Sequence, residues 1–215
     1  MNHILIRKEV EEDYREVEEL TKKAFWNVNM PGCEEHYLLH CMRNHSDFIP
    51  ELDLLVEVDG NIVAHVAYVK SRLLDEEGNQ KSILSFGPIS VHPDYQRQGY
   101  AKKLLSYSFE RAKELGYEVI AIFGNPENYI CTGFKCAKKY NVSCGDDKVF
   151  PTAFLIKELR EGALEDKKWR YIDSEACNYD PTKVEEFDQD FEQMEKAYCS
   201  SQELFYIYSK SSVTW

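Results

Sequence analysis

Ser85-Phe-Gly-Pro-Ile-Ser-Val-His-Pro-Asp-Tyr-Gln-Arg-Gln-Gly-Tyr-Ala-Lys-Lys-Leu-Leu105 is the stretch that decides the fold. Ile83, Leu84, Phe86, Ile89 and Val91 make an apolar strand, and Pro93 and Asp94 end it. From Ala101 the apolar positions Ala101, Leu104, Leu105, Ala112 and Leu115 recur at helical spacing, which predicts an amphipathic helix packed on a sheet. Between the two lies a polar loop, Gln96 to Ala101. Its Gly99 marks a place where the backbone comes close to something or takes an unusual dihedral. A strand that runs through bare backbone into a helix N-terminus suits an anion, because unpaired N–H groups and the helix dipole converge there. A plain strand-to-helix turn is the competing reading of one glycine. The dinucleotide fingerprint Gly-x-Gly-x-x-Gly is absent here, as is the Gly-Lys-Ser/Thr of P-loop NTPases.

Working outward, Asp53–Val58 and Ile62–Val69 alternate as strands around Asp59-Gly60-Asn61, residues that tolerate positive φ. A second turn, Glu76-Glu77-Gly78-Asn79, leads into the central strand, so these three strands form an antiparallel meander. His65 falls mid-strand and is expected to be half-buried with one hydrogen bond. Upstream, His3–Lys8 reads as a strand and Glu11–Phe25 as a helix. Glu34–Arg43 reads as a second helix with His36, Leu39 and His40 on one side. With His45 this gives three histidines in one region, none with an evident carboxylate partner. Downstream, Tyr117–Phe123 is a nearly continuous apolar run that fits a buried strand parallel to the central one, joined by the crossover helix. Val149–Leu159 is read as a last core strand, pairing with one from Lys135 to Ser143.

The order Gln96-x-x-Gly99-x-Ala101, preceded by Gly87-Pro88-Ile89-Ser90-Val91, resembles the coenzyme A pyrophosphate loop of the GNAT N-acetyltransferase superfamily. Gly124-Asn-Pro-Glu-Asn-Tyr-Ile-Cys-Thr-Gly-Phe134 is similar to a second pattern of that family, Gly-Asp/Asn-Pro-x-Tyr-Tyr-x-x-x-Gly-Phe, with Asn128 in place of the first tyrosine. The resemblance covers roughly Ile4 to Leu159. It implies an α/β fold with a central mixed sheet flanked by helices, in which parallel strands four and five splay apart. Acetyl-CoA is then the cosubstrate, its pyrophosphate held by Gln96, Arg97, Gln98, Gly99, Tyr100 and Ala101. Its pantetheine arm would lie against the free backbone of Ile89, Ser90 and Val91, with Asn125 beside it. Tyr129 would protonate the leaving thiolate, a task that suits a phenol with an ordinary pKa near ~10. The two N-terminal helices would wall the pocket of a small-molecule or protein amine. The base is left open among Glu127, Ser85, Ser90 and His65. An acyl-cysteine relay through Cys131 is disfavoured, because no His/Asp partner set accompanies it. A non-catalytic acyl-CoA-binding regulatory module is the alternative, since binding needs the loop and the strands but not the acid.

The rest of the composition narrows the setting. Seven cysteines, an odd number without a Cys-x-x-Cys pair, indicate neither a disulfide framework nor a zinc site, and no metal is expected. A net charge of −12 argues against nucleic acid and is compatible with a cationic substrate. No apolar run approaches the ~20 residues of a membrane span, and the start lacks a secretory pattern, so a cytoplasmic protein is expected. Residues 1–160 are read as the acetyltransferase domain and 161–215 as an acidic extension. Between Glu161 and the end, 13 acids stand against 6 bases. In the extension Val184, Phe187, Phe191, Met194 and Tyr198 predict an amphipathic helix, packed on the core or at a homodimer face, and Leu204–Tyr208 looks strand-like.

Overall fold

The computed structural model describes residues 3–145, 149–165 and 167–214. The chain enters through strand β1 (Ile4–Lys8) and two helices, α1 (Tyr14–Phe25) and α2 (Glu35–Met42). Strands β2 (Leu54–Val58), β3 (Asn61–Asp75) and β4 (Gln80–Val91) then run as the antiparallel meander expected from the alternation. Asp59 and Gly60, both at positive φ (50° and 84°), make the tight turn between the first two. Helix α3 (Tyr100–Glu114) crosses to β5 (Val119–Phe123), which is parallel to β4. One short turn of helix, α4 (Pro126–Tyr129), follows, then β6 (Lys135–Cys136), β7 (Val142–Cys144), β8 (Phe154–Glu158) and β9 (Trp169–Ile172). The last elements are helices α5 (Val184–Asp188) and α6 (Ser200–Lys210). Among the described residues no helix is long and apolar enough to cross a membrane.

The strands form one mixed sheet in the order β1-β2-β3-β4-β5-β8-β6, with β9 paired to both β3 and β7. β3 is longer than its alternation foretold, and its last four residues, Arg72–Asp75, also pair with β9. Alternate strand residues face opposite layers. Tyr68, Leu84, Phe86, Ile120 and Leu155 meet Leu104, Leu105 and Phe109 of α3. On the opposite face Leu55, Ala67 and Val69 meet Val17 and Leu20 of α1 and Leu39 and Met42 of α2. Beside them Ile83, Ala121 and Phe154 pack with Trp169 and Tyr171 from the acidic extension, which therefore shares the sheet and its core. Leu104 is fully buried, and truncating it to alanine would cost about 2–5 kcal/mol.

Four readings of the sequence are corrected. The helix expected from Val184 to Tyr198 stops at Asp188. Beyond it, α1 side chains take backbone carbonyls that a helix would use: Arg15 bonds the Asp190 carbonyl and Lys22 Nζ donates to that of Glu192 at 2.8 Å. Leu204–Tyr208 lies within helix α6 rather than in a strand. The strand expected over Lys135–Ser143 is broken by a 3-10 turn at Ala137–Tyr140, so β6 joins β8 and β7 joins β9. Leu115 is exposed at the C-terminal end of α3, while Ser108 and Phe109 complete its inner face.

Candidate active site

β4 and β5 are in register at Leu84↔Ile120 and Ser85↔Ala121, and there the pairing stops. The cause lies in β4. Gly87 and Pro88 stand between Phe86 and Ile89, while Ala67 alone stands between their partners Tyr68 and Val66, so β4 carries a bulge that bends it away. Past the bulge β4 remains paired to β3. His92 N donates to Val63 O at 2.9 Å, and antiparallel pairing alternates, so the main-chain groups of Ser90 point to β3. Those of Ile89 and Val91 point into the opening towards β5. The sequence brought Ile89, Ser90 and Val91 forward together. The register separates them: Ile89 and the N–H of Val91 face the opening, the Val91 carbonyl is taken by the Gln96 side chain, and the Ser90 hydroxyl is buried against Thr21 Oγ1 of α1 at 3.0 Å.

The loop after β4 runs into the N-terminus of α3. Gln96 is extended and its Nε2 donates to Val91 O at 3.2 Å, while Gln98 Nε2 donates to Asp94 O at 2.9 Å. These two side chains brace the loop. Arg97 and Gly99 are both left-handed, at φ 60° and 87°, and Gly99 is the N-cap of α3 without any side-chain cap. A Cβ on Gly99 would meet nothing within 4 Å, so the glycine is required by its dihedral and not by a close approach. The first-turn N–H groups, Tyr100 and Ala101 among them, have no intrahelical acceptor. No acid lies in that turn, and Arg97, Lys102 and Lys103 surround it. In a chain of net charge −12 this is a local reversal of sign.

On the α3 face Tyr129, at the end of α4, stands beside the bulge. Its ring lies 5.9 Å from Phe86 and 5.9 Å from Phe134. Its hydroxyl has no hydrogen-bond partner among the described residues, and burial pushes its pKa up to about 12. Asn125 caps α4: its Oδ1 accepts from Glu127 N at 3.0 Å, which leaves its NH2 group as the part that remains available.

The histidines read differently from the sequence. His36 is fully buried with Nε2 3.1 Å from Asp188 Oδ1, and His40, on the outer side of α2, meets Glu18 at 3.0 Å. Both partners lie far away in sequence, so no local pattern announced them. His65 is fully rather than half-buried, with Nε2 2.7 Å from Asp53 Oδ1, and burial pushes it down to about 4, leaving it neutral at pH 7. Glu9, Asp53 and His65 present ligand atoms within 4.8 Å of one another. Arg43 already supplies the cation there, donating to both oxygens of Glu9 at 3.1 and 2.7 Å. Of the residues considered as base, Glu127 is exposed, Ser85 lies against the Tyr171 hydroxyl, and Ser90 and His65 are committed as above. All seven cysteines are free, and the exposed Cys131 Sγ lies 3.9 Å from Asn128 O.

A mixed sheet whose parallel strands diverge beside a basic glycine loop is the acyl-CoA N-acetyltransferase architecture. Residues 11–134 match the acetyltransferase (GNAT) family, and the chain belongs to it. The uncharacterized N-acetyltransferase YhbS of Escherichia coli strain K12 is 26% identical over 165 residues, covering 75% of this chain and 90% of YhbS. The crystal structure of E. coli YhbS in complex with CoA superposes with a TM-score of 0.69 at 23% identity, covering 83% of this chain and 94% of that one. A GNAT family acetyltransferase from Brucella melitensis in complex with acetyl-CoA gives 0.63 at 22%, covering 83% of this chain and all of that one (100%).

Proposed function

We propose that this N-acetyltransferase moves the acetyl group of acetyl-CoA directly to a primary amine of a small molecule or protein within a ternary complex. The observation that carries the reading is the opening between β4 and β5, flanked on one side by the main chain of Ile89 and the Val91 N–H and on the other by the unbonded Tyr129 hydroxyl. In this reading the pyrophosphate lies on the N–H groups from Gln98 to Ala101, with Arg97 close by, and the pantetheine amides pair with β4 and the Asn125 NH2. The neutral amine nitrogen attacks the thioester carbonyl and a C–N bond forms. The carbonyl oxygen takes up negative charge beside the Ile89 N–H, where a preorganised donor acts most strongly in a water-poor site. The C–S bond then breaks, Tyr129 gives its proton to the sulfur, the nitrogen releases a proton to solvent, and solvent returns one to the Tyr129 phenolate. A phenol held near pKa 12 stays protonated until the thiolate forms, so it donates without being lost to bulk water first. Holding both reactants in line supplies much of the rate. The exposed thiol of Cys131, with an amide carbonyl as its neighbour, supports direct attack over an acyl-enzyme.

Calorimetric titration with acetyl-CoA, followed by measurement of CoA release with a panel of amines, tests this. Binding in the micromolar range and release that requires an amine are expected. Binding without release on any amine would favour a sensing module, and absence of binding would overturn the loop assignment.

A further inference from the structure

α6 is tied to the body at its two ends. Before it, Trp26 Nε1 donates to Glu195 O at 2.9 Å and Ala197 N donates to Asn27 Oδ1 at 3.0 Å; at its first turn, Gln202 Nε2 donates to Asn27 O at 3.0 Å. After it, Ser211 O accepts from Thr152 N at 3.0 Å and Val213 N donates to Phe150 O at 2.8 Å. Between these anchors every residue from Glu203 to Ile207 is exposed. Leu204, Phe205, Tyr206 and Ile207 stand at 51%, 44%, 61% and 50% exposure. Nowhere else among the described residues do four large apolar residues in succession face solvent. Such a run marks a surface in use. Phe187 and Phe191, also in the extension, are already spent against the ring of His36.

Ser201 and Tyr208 are half-buried and lie seven residues apart, so they mark the side of α6 turned to the body. On the opposite side Glu203, Tyr206, Ile207 and Lys210 form one row at i, i+3, i+4 and i+7, all exposed. The row is centred between Tyr206 and Ile207, with the acid and the base equally far from that centre. Two copies of the row that meet antiparallel about a two-fold axis there bring Tyr206 of each onto Ile207 of the other. The same axis brings Glu203 of each onto Lys210 of the other. A parallel pair would set acid on acid and base on base. Among the described residues the side chains of Glu203 and Lys210 have no hydrogen bond or ion pair within the chain, so both charges are available. With one acid and one base the row is neutral in a chain of net charge −12, and two copies can approach on it without local repulsion. The bodies then stand on opposite sides of the helix pair.

We propose that α6 forms the contact of a two-fold dimer of this chain, its row Glu203, Tyr206, Ile207 and Lys210 packed antiparallel on the same row of a second copy. A second copy is the occupant because the row complements itself in both its apolar pair and its charges. Four residues bury less than the roughly 800 Å² per partner of a standard interface, so the dimer is weak, with a Kd of about 10–100 μM. The pairing does not depend on the acetyl transfer proposed above.

Sedimentation velocity of the full chain from about 1 to about 500 μM tests it, a range that spans the expected Kd. The wild type should pass from monomer to dimer and stop there. Glu203→Lys and Lys210→Glu each set like charges together at both ends of the contact, and each should weaken the dimer about tenfold or more. Mixed in equal amounts, the two variants should dimerise with each other, since every contact then joins a lysine to a glutamate. A helix weakened by an unfavourable charge on its dipole would not be repaired by mixing. Tyr206→Ser with Ile207→Ser should abolish the dimer over this range, with the acetyl-CoA Kd by calorimetry unchanged. A wild type that stays monomeric throughout, a dimer that both charge variants leave intact, variants whose mixture stays monomeric, or assemblies that grow past the dimer would each overturn the pairing.

Discussion

A Cβ built on Gly124 would lie 2.5 Å from Cε2 of Tyr129, so the glycine is the space in which the tyrosine ring stands. Gly124 cannot easily retreat, because its N–H is bonded to Ala153 O at 3.0 Å beside the last pair of β5 and β8. Its φ lies outside the left-handed region, so an alanine would suit the backbone and clash with the ring alone. Gly124→Ala is therefore expected to turn Tyr129 aside and lower kcat by about ten- to a hundredfold, with the acetyl-CoA Kd within about threefold of wild type. An unchanged kcat would show that the ring position does not matter to the chemistry.

Tyr129→Phe keeps the ring contacts to Phe86 and Phe134 and removes the O–H. A fall in kcat of about a hundredfold is expected, with acetyl-CoA affinity intact, which is the usual worth of one positioned proton donor. Because burial pushes the phenol up to about 12, the wild-type rate should show no decline from this group near pH 10. A pH–rate profile of both proteins checks it. An alkaline limb near pH ~10 that disappears in the phenylalanine variant would mean an ordinary, solvated phenol.

At Gly99 the expected effect is conformational, not steric. The residue sits at φ 87° with open space around its Cα, so Gly99→Ala costs about 1 kcal/mol of left-handed strain and weakens acetyl-CoA binding by about five- to tenfold as the loop relaxes. Arg97 is the converse case. It already bears left-handed strain at φ 60°, so Arg97→Gly should raise the melting temperature and weaken acetyl-CoA binding through loss of the charge. Calorimetry and thermal melts on the two variants separate strain from charge.

What could be read from the chain follows from how local each signal is. The meander from Leu54 to Val91 was legible because period-two alternation and the Asp59-Gly60 turn act over a few residues. The loop at Gln96–Ala101 was legible because Pro93 and Asp94 before it and Gly99 within it act locally. The bulge at Gly87-Pro88 was not, since it is defined by what Ala67 faces on another strand. The extension misled for a related reason. Phe187 and Phe191 do share a side, but what satisfies them is the ring of His36 on α2, and the chain beyond Asp188 is held by Arg15 and Lys22 instead of by its own helix. Leu204–Tyr208 has strand-like residues, but it pairs with no strand and its backbone bonds itself as a helix.

His36 supplies a prediction in pH. Its imidazole is fully buried between the rings of Phe187 and Phe191, with Asp188 at 3.1 Å on Nε2 and the Cys33 thiol at 3.5 Å on Nδ1. Lys22 bonds the same Asp188 carboxylate at 2.6 Å, and Arg15 stacks over Phe191. Burial pushes His36 down to about 4; Asp188 opposes the shift, and the Lys22 and Arg15 cations reinforce it. The folded value lies below the unfolded one near ~6.5, so between these limits the unfolded chain binds the extra proton. The contribution of His36 is thus complete above pH ~6.5 and lost as pH falls towards 4, up to about 3 kcal/mol. His65 titrates in the same direction, but it is present in both proteins when wild type is compared with His36→Gln. Urea unfolding at several values between pH ~7 and ~4.5 should give a shallower fall of stability in the variant by up to one proton's worth of slope. Identical slopes would mean that the extension detaches from α2 and hydrates His36 before the imidazole has to be charged in place.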